Sequence, residues 1–145
     1  YYPIAEGRKV EQEHRILELI GRVDAELLVL ARYMQVLTAE ACARLAGRAI
    51  NIHHSFLPGF KGARAYHQAH ARGVKLIGAT AHYVTTDLDE GPIIEQEVDR
   101  VDHGLSPEEL AVVGSELESL VLNRAIKWHA ERRVFRNGAR TVILR

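Results

Sequence analysis

Short apolar runs alternate with helix-forming segments along this chain, and that alternation leaves few folds open to it. Leu27-Leu28-Val29-Leu30 is continuously apolar over a strand's length, the pattern of a strand buried on both faces of a parallel sheet. Residues 49–52 read as the next strand, 76–84 and 93–98 as two more, and 141–144 as a last short one after the Asn137-Gly138 turn. Helical signals fill the gaps: Val10, Ile16, Leu17 and Ile20 up to Gly21, a stretch capped by Thr38 and ended by Gly47, and a short helix over 66–72. Ser106-Pro107-Glu108-Glu109 is a strong helix start, with a Ser cap, Pro in the first turn and Glu three residues after the cap. Leu110, Val113, Leu117, Val121 and Trp128 keep the helical period after it, which predicts a helix of about 25 residues and about 37 Å.

Strands alternating with helices predict α/β: an open, mostly parallel, twisted sheet with flanking helices, in a single domain over residues 1–145. Ligands of such sheets bind beyond the carboxyl ends of the strands, which directs attention to residues 31–37, 53–64 and 85–91. The chain opens on Tyr1-Tyr2-Pro3-Ile4, which reads as the tail of a strand with no complete strand–loop–helix unit before it. The sheet is therefore expected to be truncated at its N-terminal side, leaving residues 27–30 as an open edge.

Composition narrows the function classes. A chain of 145 residues suits one compact domain that needs neither disulfides nor a structural metal. Lys+Arg and Asp+Glu both number 19, so no basic surplus marks a nucleic-acid footprint. The longest uncharged stretch in the middle of the chain, 76–86, is too short to cross a bilayer. No basic-plus-apolar leader opens the chain and Cys42 is the only cysteine, so a cytoplasmic location is expected. The eight histidines invite a catalytic reading, because imidazole titrates near neutral pH and binds metals, but the number alone decides nothing.

The sharpest local feature is Asn51-Ile52-His53. Side chains alternate along a strand, so Asn51 and His53 point to one side and Ile52 to the other. An amide N–H can stabilise a developing oxyanion and an imidazole can shuttle a proton. Alternatively, Asn51 bonds loop backbone and His53 covers the sheet edge, the commoner case for an isolated Asn-x-His. In Thr85-Thr86-Asp87-Leu88-Asp89-Glu90, Asp87 and Glu90 read as solvated turn carboxylates, while Asp89 is open between that role and acid–base work. His67 and His70 share a helix face but lack the Glu of a zinc-binding His-Glu-x-x-His helix, and a surface-helix reading suits them better. Residues 59–64 lack the full phosphate-loop pattern and read as a structural loop. Cys42, in an Ala-rich helix, reads as core rather than nucleophile, and His14, His103 and His129 read as exposed.

Taken together, Asn51-Ile52-His53, Ser55-Phe56-Leu57-Pro58, Lys61-Gly62, His82-Tyr83-Val84 and Leu88-Asp89-Glu90-Gly91-Pro92-Ile93-Ile94 resemble, in order and spacing, the formyltransferase family that uses 10-formyltetrahydrofolate. Residues 30–37, His53-His54-Ser55-Phe56, Tyr66-His67-Gln68-Ala69 and 78–84 are similar to the branch of that family that hydrolyses this folate. The likeness covers nearly the whole chain, from Pro3 to Leu144.

The resemblance implies a formyltransferase-like, Rossmann-like fold in which Asn51, His53 and Asp89 match the catalytic Asn, His and Asp. It implies a folate pocket walled by Leu30, Met34, Gln35, Val36 and Leu37, with Val84, Thr85 and His54 also against the substrate. The implied reaction is hydrolysis of 10-formyltetrahydrofolate to tetrahydrofolate and formate, supplying formate and balancing one-carbon folate pools for purine synthesis. No metal and no separate cofactor are implied, since the folate is itself the substrate. A homo-oligomer is expected, with a small-molecule folate as partner and neither nucleic acid nor membrane. Formyl transfer to an amine such as glycinamide ribonucleotide, or folate binding without catalysis, stays open as an alternative. The family's domain has a front unit before the equivalent of Tyr1, and the hydrolytic branch adds a small regulatory domain of the ACT type; this sequence carries neither. Ala65 stands where the resemblance leads one to expect proline, and His54 and Phe56 stand where the transferases favour Pro and Leu.

Overall fold

The computed structural model describes residues 7–31, 33, 35–59 and 64–144. In chain order its elements are α1 (Lys9–Arg22), β1 (Leu28–Ala31), α2 (Ala39–Arg44), β2 (Ala49–His53), α3 (Ala65–Ala71), β3 (Leu76–Tyr83), β4 (Ile93–Arg100), α4 (Pro107–Ala130), β5 (Val134–Asn137) and β6 (Arg140–Ile143). Strands β1 to β4 form one sheet in that order, and β5 and β6 pair as a separate hairpin.

The α/β architecture is as expected, but the strand directions correct the mostly parallel reading. β1 and β2 run parallel, whereas β3 is antiparallel to both β2 and β4, so the sheet is mixed. Connection length gives the reason. α3 has seven residues, about 10 Å of helix, so it does not carry the chain back to the start of β2. β3 meets β2 first at its carboxyl end, at the His53–Thr80 pair, and runs back along it. Residues 84–92 join β3 to β4 with no helix, too short a link for a parallel crossover. β1 is half-buried rather than enclosed on both faces, and it lies at the sheet edge among the described residues.

Helices cover both faces of the sheet because β2 is apolar on both. Ile50 and Ile52 face one core with Ile77, Ala79, Leu110, Val121 and Ala125, beneath α4 and α3. Ala49 belongs to the other, with Leu17 of α1 and Ala41, Cys42 and Leu45 around α2. Ile50 and Val121 are fully buried, each worth about 1.5–3 kcal/mol relative to exposure. Alternation places Asn51 and His53 on the face of Ala49.

The local start signals behave as their chemistry dictates. Thr38 Oγ1 accepts from Ala41 N–H at the head of α2. Ser106 and Glu109 form a reciprocal capping box on α4: Glu109 N–H donates to Ser106 Oγ, and Ser106 N–H donates to the Glu109 carboxylate. Gly114 lets α3 approach α4, since a Cβ there would lie 2.0 Å from the Tyr66 hydroxyl. That hydroxyl donates to Glu118 Oε1 at 2.7 Å. The last hairpin adds a strand, 134–137, that the periodicity did not separate from the end of α4. Among the described residues no helix is long and apolar enough to cross a membrane.

Candidate active site

Asn51 and His82 face each other across the antiparallel β2–β3 ladder, with Asn51 Nδ2 at 3.3 Å from His82 Nε2. On its other edge β3 shifts register against β4 at Ala81/His82, an irregularity of the kind that re-aims a side chain beside a functional site. His82 is 3% exposed. On the other side of its ring, Nδ1 lies 2.9 Å from the carbonyl oxygen of Tyr83.

The loop between β3 and β4 brings the carboxylate to this pair. Tyr83 N–H donates to the Pro92 carbonyl at 2.9 Å and closes the base of the loop. Asp89 sits within it at φ +57°, a left-handed conformation that Asp tolerates better than most residues. Its Oδ1 lies 3.3 Å from His53 Nδ1 and 3.8 Å from His82 Nε2, and both imidazoles and the carboxylate are nearly buried. The loop that follows β2 is anchored below them. Thr80 Oγ1 donates to the Ser55 carbonyl and accepts from Leu57 N–H and Gln96 Nε2.

A cleft opens over Asn51, His82 and Asp89. One wall is Leu30, Gln35, Val36 and Leu37, and the other is Val84 and Thr85. Tyr33, Asp87 and Leu88 complete it. Burial, reinforced by the nearby Glu13 carboxylate, pushes the Tyr33 phenol up, so this wall stays uncharged. Met34 and Lys61-Gly62 lie outside the described residues.

His54 does not line the cleft. It borders a second, apolar cavity of about 400 Å³ with Phe56, Tyr66, Leu76 and Ile77. Neighbouring residues leave a strand on opposite sides, so a His53 that faces Asp89 sends His54 the other way. Its ring lies 4.9 Å from that of His53 and 5.7 Å from that of Tyr66, and its Nε2 accepts from Ala65 N–H. The larger cavity gathers few polar groups, whereas Asn51, His82 and Asp89 all line the smaller one.

His82 is the site residue that reasoning from single motifs passed over. Its signal was present in the His82-Tyr83-Val84 segment, but only strand register sets it opposite Asn51. Cys42 is buried, and burial followed by the Glu13 charge pushes its thiol up, which removes it as a nucleophile. His67 and His70 are exposed on α3. Among the described residues no three His, Cys, Asp or Glu side chains group as a metal site. His129 corrects an expectation of exposure: it is half-buried, with Nδ1 2.8 Å from the Tyr83 hydroxyl.

The family model described as formyl transferase matches residues 5–126. The chain belongs to the formyl transferase family. Within it, the chain is similar to the formyltetrahydrofolate deformylase of Corynebacterium sp. (strain P-1), at 55% identity over 145 residues, 100% of this chain and 51% of that protein. It is 53% identical to the deformylase of Bacillus subtilis (strain 168) over 135 residues, 93% of this chain and 45% of that one. The crystal structure of formyltetrahydrofolate deformylase from Burkholderia mallei ATCC 23344 superposes with TM-score 0.93 at 64% identity, covering 100% of this chain and 52% of that one. Glycinamide ribonucleotide transformylase 1 from Symbiobacterium toebii gives TM-score 0.87 at 35% identity, over 92% of this chain and 63% of that one. The chain spans about half the length of the curated relatives it matches.

Proposed function

We propose that the protein hydrolyses 10-formyltetrahydrofolate to tetrahydrofolate and formate. The observation that carries this reading is the buried His53–Asp89 contact, Nδ1 to Oδ1 at 3.3 Å, set beside Asn51 at the cleft. Water adds to the formyl carbon, and the carbonyl oxygen becomes an oxyanion that the Asn51 amide N–H stabilises. Asp89 accepts the proton of the attacking water. His53, bonded to Asp89 through Nδ1, supplies a proton to the leaving nitrogen as the carbon–nitrogen bond breaks, and the proton that Asp89 took from water passes through that contact to restore it. Formate and the secondary amine of tetrahydrofolate are the products, and atoms and charge balance without a redox partner.

Water rather than an amine is the acceptor in this reading. Proteins named formyltetrahydrofolate deformylase are 51–55% identical to the chain, whereas the glycinamide ribonucleotide transformylase from Symbiobacterium toebii is 35% identical. The reading extends to formate supply for purine synthesis, in a cytoplasmic homo-oligomer.

The deciding assay supplies 10-formyltetrahydrofolate labelled at the formyl carbon, first alone and then with glycinamide ribonucleotide. Label released as formate without the amine is the expected result. Label accumulating in the amine establishes the transferase instead, and folate binding with no turnover in either arm establishes a binding module.

A further inference from the structure

We infer that His82, outside the Asn51–His53–Asp89 trio, is a positioning residue that fixes which end of the Asn51 amide meets the imidazole and which hydrogen is left for substrate. His82 Nδ1 lies 2.9 Å from the Tyr83 carbonyl oxygen. A carbonyl only accepts, so Nδ1 carries the hydrogen and Nε2 of the neutral ring is a bare acceptor. A buried acceptor requires a donor, and the group at 3.3 Å from Nε2 is the Asn51 amide. The amide therefore turns its NH2, not its oxygen, to His82. One hydrogen is used there, and the second remains for the formyl oxygen in the cleft that Asn51 lines. Turned over, the amide would set its oxygen against Nε2, acceptor against acceptor.

The carbonyl that selects this tautomer is itself held in place. Gly91 comes so close that a Cβ there would lie 1.7 Å from Tyr83 O and 3.1 Å from His82 Nδ1. The turn that carries Asp89 thus also sets the ring that orients Asn51. Asp89 does not compete for His82: its Oδ1 is 3.8 Å from Nε2, beyond hydrogen-bond reach, and 3.3 Å from His53 Nδ1.

The effect on rate rests on the hydrolase reading, whereas the tautomer does not, and the test separates them. Nitrogen NMR of the 15N-labelled protein without substrate is expected to show His82 protonated at Nδ1 and bare at Nε2. A proton on Nε2 overturns the inference whatever the protein catalyses, and this arm decides even where a variant fails to fold. In the hydrolysis assay, His82→Phe keeps a ring without its nitrogens. It is expected to lower kcat about ten- to a hundredfold, less than the 10²–10³ lost with a deleted oxyanion donor. KM and tetrahydrofolate affinity should stay within about twofold. His82→Gln, whose Oε1 can accept from the Asn51 amide, should recover part of kcat. Unchanged kcat in His82→Phe, or a loss of tetrahydrofolate affinity equal to the loss of kcat, overturns the positioning role. A wild-type protein that releases no formate overturns the hydrolase reading alone, and the NMR result then decides the positioning of Asn51.

Discussion

The buried carboxylate of Glu13 receives Thr38 twice, its backbone N–H at 3.0 Å and its hydroxyl at 2.5 Å. The same hydroxyl accepts from Ala41 N–H, so one threonine ends the cleft wall, caps α2 and docks on α1. Gln35, Val36 and Leu37, just before Thr38, face the cleft. Glu13→Ala leaves a half-buried N–H without this partner, at a cost of about 1 kcal/mol. The expected result is a lower melting temperature together with a KM for 10-formyltetrahydrofolate raised about fivefold, and kcat changed less. Unaltered KM in a folded Glu13→Ala protein would show that this wall does not depend on α1.

Asp89→Asn removes the charge while keeping the size. Asn tolerates the left-handed backbone at φ +57° as well as Asp does, so the loop keeps its shape. Folding and folate binding should persist while kcat falls about 10²-fold or more, the range of lost general acid–base help. Steady-state kinetics beside a thermal melt measure this, and wild-type turnover would remove Asp89 from the mechanism.

Gly91→Ala tests the close approach of the β3–β4 loop to Tyr83. A methyl 1.7 Å from a carbonyl oxygen forces backbone movement, at about 3 kcal/mol by the scale of overpacked sites. The melting temperature should fall by about 10 °C. Activity should fall further than stability accounts for, because Asp89 and His82 shift together. A melting curve that superimposes on the wild type's would contradict the geometry.

Burial lowers the His129 pKa, against a smaller opposing pull from Glu26. Neutral Nδ1 accepts from the Tyr83 hydroxyl, whose own pKa burial raises. Between the folded and unfolded pKa values of His129 the unfolded chain binds the extra proton, so stability rises with pH there. This contribution is complete above about pH 6.5 and is lost as pH falls below it. The stability difference between wild type and His129→Gln, measured by denaturant titration, should therefore shrink on acidification. A difference that grows instead would reverse the assigned protonation state.

Local chemistry made much of the chain legible. Ser106, Pro107 and Glu109 announce α4, and Asn137-Gly138 announces the turn between β5 and β6, because caps and turns satisfy their backbone groups within a few residues. Apolar runs likewise located β1 to β4. Alternation along β2 placed Asn51 and His53 on one side, and the same rule, applied one residue further, would have sent His54 away from the cleft. The walls at 35–37 and 84–85 came from family resemblance, since nothing in their periodicity marks a binding surface.

Strand direction and the composition of the site were decided by tertiary structure. An apolar strand reads the same in either direction, and only the pairing register shows β3 running back along β2, with the short link 84–92 turning β4 back along β3. That reversal pairs Asn51 with His82, 31 positions later in the chain, and folds Asp89 back between two imidazoles. The sequence by itself determined the elements and the residue types that could do acid–base work, because those depend on neighbours in the chain. Which of eight histidines stand at the carboxylate depended on register and loop closure, which are set by contacts between residues far apart in sequence.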